Sequence, residues 1–359
     1  MISPIGASLR RAREDAGLSL AAMAAKTHFS RGHLANVETG KRNATPDVVL
    51  AYERALGDEV HRRTLLTGLA SAVVAPVVMS EALHGAFTEA LAEPIPVEQW
   101  RDRAEEYGRD YMTLGAAVLS TRLVADLVRL QQFVKDPQIW APAARMMTVY
   151  GKTLPTNDGS KGALHWYRLA ATVADRSEDH TTRVWVRGRA ALALAYEAAE
   201  LPTARLLSDQ AIALSDKPTL GRLNALVARA HVAGAVGDRG TAVATMEQAQ
   251  RVFDHVGSAE QISDFAVPEW RMNTFASMLW SRVGDESLAV AAQEAADRTR
   301  PPTLARFATH IELHRGLMLA KAGDRAGGLA YARVALSRLP PERRSLSLQL
   351  LADEIKHAG

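Results

Sequence analysis

The chain has 359 residues, 47% of them hydrophobic and 23% charged, a balance that excludes a disordered, collagen-like or mucin-like polymer and leaves room for more than one core. Cysteine does not occur, which excludes a disulfide framework, a thiol nucleophile, thiolate zinc sites and cysteine-ligated iron–sulfur clusters, and fits a reducing, cytoplasmic setting. The formal net charge is +3, and residues 1–63 hold ten Lys or Arg against seven Asp or Glu, so the first sixth of the chain carries the whole excess, as a nucleic-acid-binding head on a neutral body would.

Aromatic residues make up only 6% of the chain, and abundant alanine and leucine favour helix over sheet, so the expected fold class is all-α. Leu9 to Gly17 reads as a short helix that ends at a glycine, the residue that takes the left-handed C-terminal position most cheaply. Ser19 is the predicted N-cap of a second helix over Leu20 to Lys26, with Met23 facing inward. Ser30 caps a third, in which Leu34 and Val37 supply the apolar spacing and Gly40 the stop. Thr45 before Pro46 starts a fourth, whose buried face is Val48, Val49, Tyr52 and Leu56. Four short helices within about fifty residues, two of them joined by a tight turn at Thr27 to Phe29, make a helix-turn-helix layout.

These residues resemble the phage-repressor-type (XRE) helix-turn-helix family. Residues 6–57 carry its pattern of LRxxRxxxGLS, LAxxA, SxxxLxxxExGKR and a following Pro-led helix. The resemblance implies that Ser30 to Thr39 form the recognition helix, entering the major groove of double-stranded DNA with Arg31, Gly32, His33 and Asn36 toward base edges. Arginine pairs bidentately with guanine and asparagine with adenine, which suits Arg31 and Asn36 to that place. Arg10, Lys41 and Arg42 would sit on phosphate, with Ser30 at the helix start. The same resemblance gives Arg13 and Glu38 a scaffolding role, tying helix one to the end of helix three. Leu20 stands where many relatives carry a phosphate-binding glutamine, so that anchor is missing from helix two.

His61-Arg62-Arg63 and the apolar residues that follow, to about Met79, imitate a twin-arginine export signal, but they come after a complete domain rather than at an N-terminus. The apolar run spans about fifteen residues and is broken by Ser71 and Pro76, short of the twenty or so that cross a membrane. The predicted organisation is therefore a helix-turn-helix domain over 1–63, a linker helix over 64–95 and a helical body over 96–359, with no membrane association.

Within the body, Gly237-Asp238, Gly284-Asp285 and Gly323-Asp324 recur at intervals of 47 and 39, and Ala199-Glu200 stands 38 before the first. Five residues past each anchor come Ala204, Ala242, Ala289 and Gly328, and twelve past come Ala211, Ala249, Ala296 and Ala335. Small residues at fixed places let paired helices approach closely. Pro218, Pro268, Pro301 and Pro340 mark where successive pairs begin. Further helical segments are predicted over Leu114 to Phe133 and Ala163 to Ser177, and Glu342 to Lys356 is predicted to cap the array.

This pattern resembles the tetratricopeptide repeat, a stacked helix pair with small residues at the crossing. It implies an α-solenoid whose first helices line a groove, making Arg187, Arg222, Asn224, His231, Arg271, Asn273 and Arg306 candidate ligand contacts. A basic helix-turn-helix head on such a body is similar to the peptide-pheromone-responsive regulators of bacteria.

The chain contains no Walker phosphate loop, Rossmann fingerprint or nucleophile elbow. His310 and His314 lie four apart on one helical face, a spacing that can bind metal, but Ile311 replaces the glutamate a zincin needs and no third ligand is near in sequence. The expectation is a non-enzymatic, cofactor-free and metal-free transcriptional regulator. It would bind DNA as a homodimer and sense a peptide or small-molecule effector. The alternative is a protein-interaction scaffold in which the helix-turn-helix module serves assembly.

Overall fold

The computed structural model describes residues 9–10, 13–14, 17–42, 48, 51–52, 55, 95–131, 136–154 and 162–358, and every regular element among them is a helix. The chain divides after Phe87 into two compact units. The predicted linker helix and the twin-arginine-like segment, along with Val49 and Leu56 of the fourth predicted helix, lie outside the described residues.

In the first unit, α1 (Leu20–Lys26) and α2 (Arg31–Glu38) form the expected pair. Each starts at a serine whose hydroxyl accepts from a backbone amide three residues on, Ser19 from Ala22 at 3.1 Å and Ser30 from His33 at 3.3 Å. Such caps are worth about 1 kcal/mol each, which matters in helices of seven and eight residues. Gly17 and Gly40 both have positive φ, as the stops require. Leu9, Met23, Leu34, Val37, Val48 and Tyr52 are fully buried together, and Leu20 packs part-buried against them. At position 20 this chain thus has a packing residue.

The second unit is a succession of helix hairpins. It contains α3 (Val97–Thr113), α4 (Ala116–Leu130), α5 (Trp140–Gly151), α6 (Gly162–Arg176), α7 (His180–Tyr196), α8 (Leu201–Leu214), α9 (Leu220–Ala235), α10 (Arg239–Val256), α11 (Glu269–Val283), α12 (Glu286–Thr299), α13 (Ala305–Lys321), α14 (Arg325–Ser337) and α15 (Leu346–His357). From α7 to α14 each helix packs on its hairpin partner, and the first helices, with α15 at the end, also stack on one another in the order α7, α9, α11, α13, α15.

The predicted anchors are the hairpin turns. Gly237, Gly284 and Gly323 take φ of +80°, +76° and +99°, a region where a side chain costs about 1–2 kcal/mol. The following aspartates each accept from a backbone amide of the next helix, Thr241 at 3.0 Å, Leu288 at 3.2 Å and Gly327 at 2.8 Å. The Ala199-Glu200 anchor is also a turn but departs from this chemistry, for its left-handed residues are Ala198 and Glu200 and no side chain caps α8. The small residues predicted at the crossings, from Ala204 to Ala335, are all buried. Closer still, a Cβ on Gly188 of α7 would lie 2.1 Å from the carbonyl oxygen of Gly221 on α9, so these two helices touch backbone to backbone.

One interval, 47 residues between Gly237 and Gly284, exceeds the others. The surplus is the irregular stretch 257–268 between α10 and α11, in which Ser263, Asp264, Phe265, Ala266 and Val267 are buried. It threads inward: the Asp264 amide donates to the Gly108 carbonyl at 2.8 Å, and Phe265 meets Trp185 edge-on at 4.9 Å. No helix among the described residues is long and apolar enough to cross a membrane.

Candidate nucleic-acid interface and interior pocket

The first unit presents α2 from its N-terminal end. Arg31 and Gly32 are exposed, and nothing lies within 4 Å of where a Cβ on Gly32 would stand, so no packing inside the unit explains that glycine. Asn36 is half-buried, one turn further along the helix. The His33 ring stacks on Phe29 with centroids 5.1 Å apart and planes at 14°, and its Nδ1 is 3.4 Å from the exposed Arg42 guanidinium. Lys41 is exposed, Ser30 uses its hydroxyl as the helix cap, and Arg10 pairs with Glu14 at 2.9 Å on the surface. Four of the eight, Arg31, Gly32, His33 and Asn36, thus belong to α2, and Lys41 and Arg42 directly follow it.

Beneath this surface Arg13 grips Glu38. Its Nε and Nη2 donate to the two carboxylate oxygens, each at 2.7 Å, its Nη1 donates to the Leu18 carbonyl at 2.8 Å, and the Tyr52 hydroxyl donates to Glu38 at 2.7 Å. All three polar side chains are buried but mutually satisfied, the condition under which buried charge is tolerated.

The second unit contains a partly open pocket lined chiefly by its first helices. Behind it lies Asp264, fully buried, whose Oδ1 meets Lys152 at 2.6 Å, Arg189 at 2.8 Å and Arg271 at 2.6 Å. Burial alone would raise the Asp264 pKa, but the charges of Arg189, Lys152 and Arg271 hold it well below the usual carboxylate range. The Lys152 ammonium is pushed well down, first by burial and then by Arg189, and it sits 3.3 Å from the centre of the Tyr111 ring. The remaining wall is largely aromatic and apolar, including Tyr111, Tyr167, Tyr196, Phe275 and Phe307.

At one side of the pocket, the Tyr196 hydroxyl bridges the histidine pair, 2.8 Å from His314 Nε2 and 3.3 Å from His310 Nδ1, while Ser277 is 2.8 Å from His314 Nδ1. Burial lowers the pKa of both rings, so they are neutral hydrogen-bonding groups. No group of three or more His, Cys, Asp or Glu among the described residues could hold a metal ion.

Of the seven predicted groove residues, Arg271 lines this pocket, while Arg306 lines a separate one and touches Tyr111, 4.9 Å from its ring and donating to its carbonyl. Arg187 pairs with Asp175 at 2.6 Å, Arg222 folds onto the Ile212 and Ser215 carbonyls, and Asn273 donates to the Glu269 carbonyl at 3.0 Å. Asn224 and His231 are buried between helices, the latter beside Tyr196. Sequence reasoning missed Tyr111, Lys152, Arg189 and Asp264. Arg189 follows Arg187 by two positions, nearly opposite on a helix. The one available signal for Asp264 was the surplus in the 47-residue interval.

Residues 4–66 match the family model of the helix-turn-helix domain. No curated protein and no solved structure matches the chain. The first unit therefore carries a helix-turn-helix domain of the DNA-binding kind.

Proposed function

We propose that this chain is a sequence-specific DNA-binding transcriptional regulator of bacterial type, with α2 set in the major groove of double-stranded DNA. In this reading Arg31, Gly32, His33 and Asn36 meet base edges. Arg10, Lys41 and Arg42 meet phosphate, and Ser30 fixes the N-terminal turn of α2, where backbone amides favour an anion. The observation that carries the reading is the helix-turn-helix match over residues 4–66. The exposure of Arg31 and Gly32 at the start of α2 supports it.

The helical body then acts as a tetratricopeptide-type array that dimerises the chain and senses a peptide or small-molecule effector. Stacked first helices lining a pocket support that part. A homodimer would place two heads on half-sites about 10 base pairs apart.

The test is selection of bound sequences from a randomised DNA pool at about 150 mM salt, where phosphate attraction alone is already weakened. Enrichment of a palindrome with that spacing is the expected result. A chain that enriches nothing, with or without cell extract as a source of effector, would instead be a scaffold whose head serves assembly.

A further inference from the structure

The interior pocket has an uneven charge balance. Lys152, Arg189 and Arg271 converge on the single carboxylate of Asp264, and Glu197 is the other acid along the wall. Three bases thus face two acids among the described residues of this site. The Lys152, Arg189, Arg271 and Asp264 side chains are all at least nine-tenths buried. Burial and Arg189 disfavour the Lys152 proton, so an anion entering beside Lys152 and Arg271 would supply the pairing that a buried ammonium needs.

The shape of the pocket narrows the ligand further. The enclosed part of the pocket is small, which suits one end of a small organic molecule and excludes an extended peptide of many residues. The Tyr111, Phe275 and Phe307 rings offer an apolar seat next to the cations.

We propose that this pocket is a binding site for a small organic anion, its carboxylate set on Lys152 and Arg271 and its apolar or aromatic body held by Tyr111, Phe275 and Phe307. The inference deepens the sensing role given above to the helical body and rests on it for its biological meaning. The wall is drawn from α3, α6, α7, α11, α13 and α15 together with Lys152 at the end of α5. A ligand there touches most of the stacked first helices at once. It would favour whichever arrangement of the stack fits it better, which is the requirement for a ligand to shift a conformational equilibrium.

The full-length protein can be titrated with anilinonaphthalene sulfonate, an aromatic anion whose fluorescence reports apolar surroundings, and with its uncharged counterpart N-phenylnaphthylamine. The expected result is that the anion binds at least about tenfold more tightly than the neutral probe, the value of one charge-assisted hydrogen bond. Lys152→Met should remove that preference and leave the neutral probe unaffected. Ala193→Leu, which fills the pocket from α7 without touching a charge, should weaken both. Benzoate should displace the bound anion, and a neutral benzamide should not. Equal affinity for the two probes in the wild-type protein, or an anion affinity unchanged by Lys152→Met, overturns the proposal. Should Lys152→Met fail to fold, the wild-type comparison and the benzoate competition decide alone.

The same titration repeated with bound operator DNA separates this proposal from the regulatory reading. Anion capture that leaves DNA affinity unchanged keeps the site and removes its effector role. An effector that changes DNA affinity equally in wild-type and Ala193→Leu protein refutes the site and keeps the regulator.

Discussion

Arg13 and Glu38 meet across twenty-five residues as a fork, two parallel hydrogen bonds of 2.7 Å between guanidinium and carboxylate. Tyr52 closes the arrangement from the following helical segment by donating to the same carboxylate. The pair therefore links the start of the helix-turn-helix unit to the end of α2, and so sets the pose of the helix that presents Arg31 and Asn36. Neither side chain is exposed enough to reach a base.

Breaking a buried fork leaves an uncompensated charge, so Arg13→Ala and Glu38→Ala should each destabilise the first unit by about 3–5 kcal/mol. Tyr52→Phe, which removes one hydrogen bond, should cost about 1–2 kcal/mol. Hydrogen exchange of the α1 and α2 amides in the full chain reads this directly. Protection in Arg13→Ala equal to that of the wild-type protein would show that the fork is energetically idle.

Base contacts and phosphate contacts should part on substitution. Arg31→Ala should cost about 1–3 kcal/mol on the selected operator and little on random DNA, relaxing preference at one base pair. Lys41→Ala should weaken binding to every sequence alike and lower the salt slope by about one. Binding isotherms on both DNAs at several salt concentrations distinguish the two. Equal losses from Arg31→Ala on operator and random DNA would remove its assigned role.

Two glycines in helices should respond in opposite ways to one added methyl group. Gly188→Ala forces a Cβ to within 2.1 Å of the Gly221 carbonyl oxygen, and the resulting separation of α7 from α9 should cost about 1–3 kcal/mol. Gly32→Ala meets open space and should stabilise α2 by up to about 1 kcal/mol through helix propensity. If Gly32 allows DNA to approach closely, the same variant binds operator less well despite its greater stability. Urea unfolding and operator titration of the two variants supply the four numbers needed.

The turn before α8 should gain from a glycine. Ala198 holds φ at +50°, where a side chain costs about 1–2 kcal/mol, while glycine's extra chain entropy gives back about 0.5–1 kcal/mol. Ala198→Gly should therefore raise stability by about 0.5–1 kcal/mol in thermal or urea unfolding, and a loss of stability would refute the assignment of strain to that residue.

Acid should loosen the second unit through its neutral histidines. Burial, then Arg282 for His231 and Arg306 for His310, lowers both pKa values to about 3, and burial lowers His314 as well. Below the unfolded value of 6.5 the unfolded chain takes up protons that the folded chain refuses, so stability is complete above that pH and falls as pH drops toward 3. Each histidine should cost about 1.4 kcal/mol per pH unit below 6.5, so all three together cost about 4 kcal/mol by pH 5.5. Urea midpoints at pH 7.5 and 5.5 measure the slope, and His310→Gln should reduce it by about a third. A flat profile over this range would mean the rings are accessible to protons in the folded state.

What could be read from the sequence is local chemistry. Ser19 and Ser30 had to cap because a hydroxyl satisfies the orphan amides of a short helix, and Gly17 and Gly40 had to stop because few other residues tolerate positive φ. The Gly-Asp turns of the body and the alanines five and twelve residues beyond them follow the same logic, since a repeating turn and a repeating crossing leave repeating residues. The helix-turn-helix head was legible for that reason, and so was the hairpin array from α7 onward.

The interior pocket was not legible, because it is made by contacts that no local rule specifies. Lys152, Arg189, Asp264 and Arg271 come from three different helical regions and one inserted stretch, brought together by stacking that buries apolar surface elsewhere. Arg187 and Arg189 look alike as letters two apart, yet one turns to Asp175 and the other to Asp264, since a helix rotates about 100° per residue. Sequence by itself determined the helix-turn-helix head and the turns of the hairpin array from α7 onward; only the tertiary structure decided which charged side chains face the interior, because burial is a property of the neighbours a residue acquires on folding.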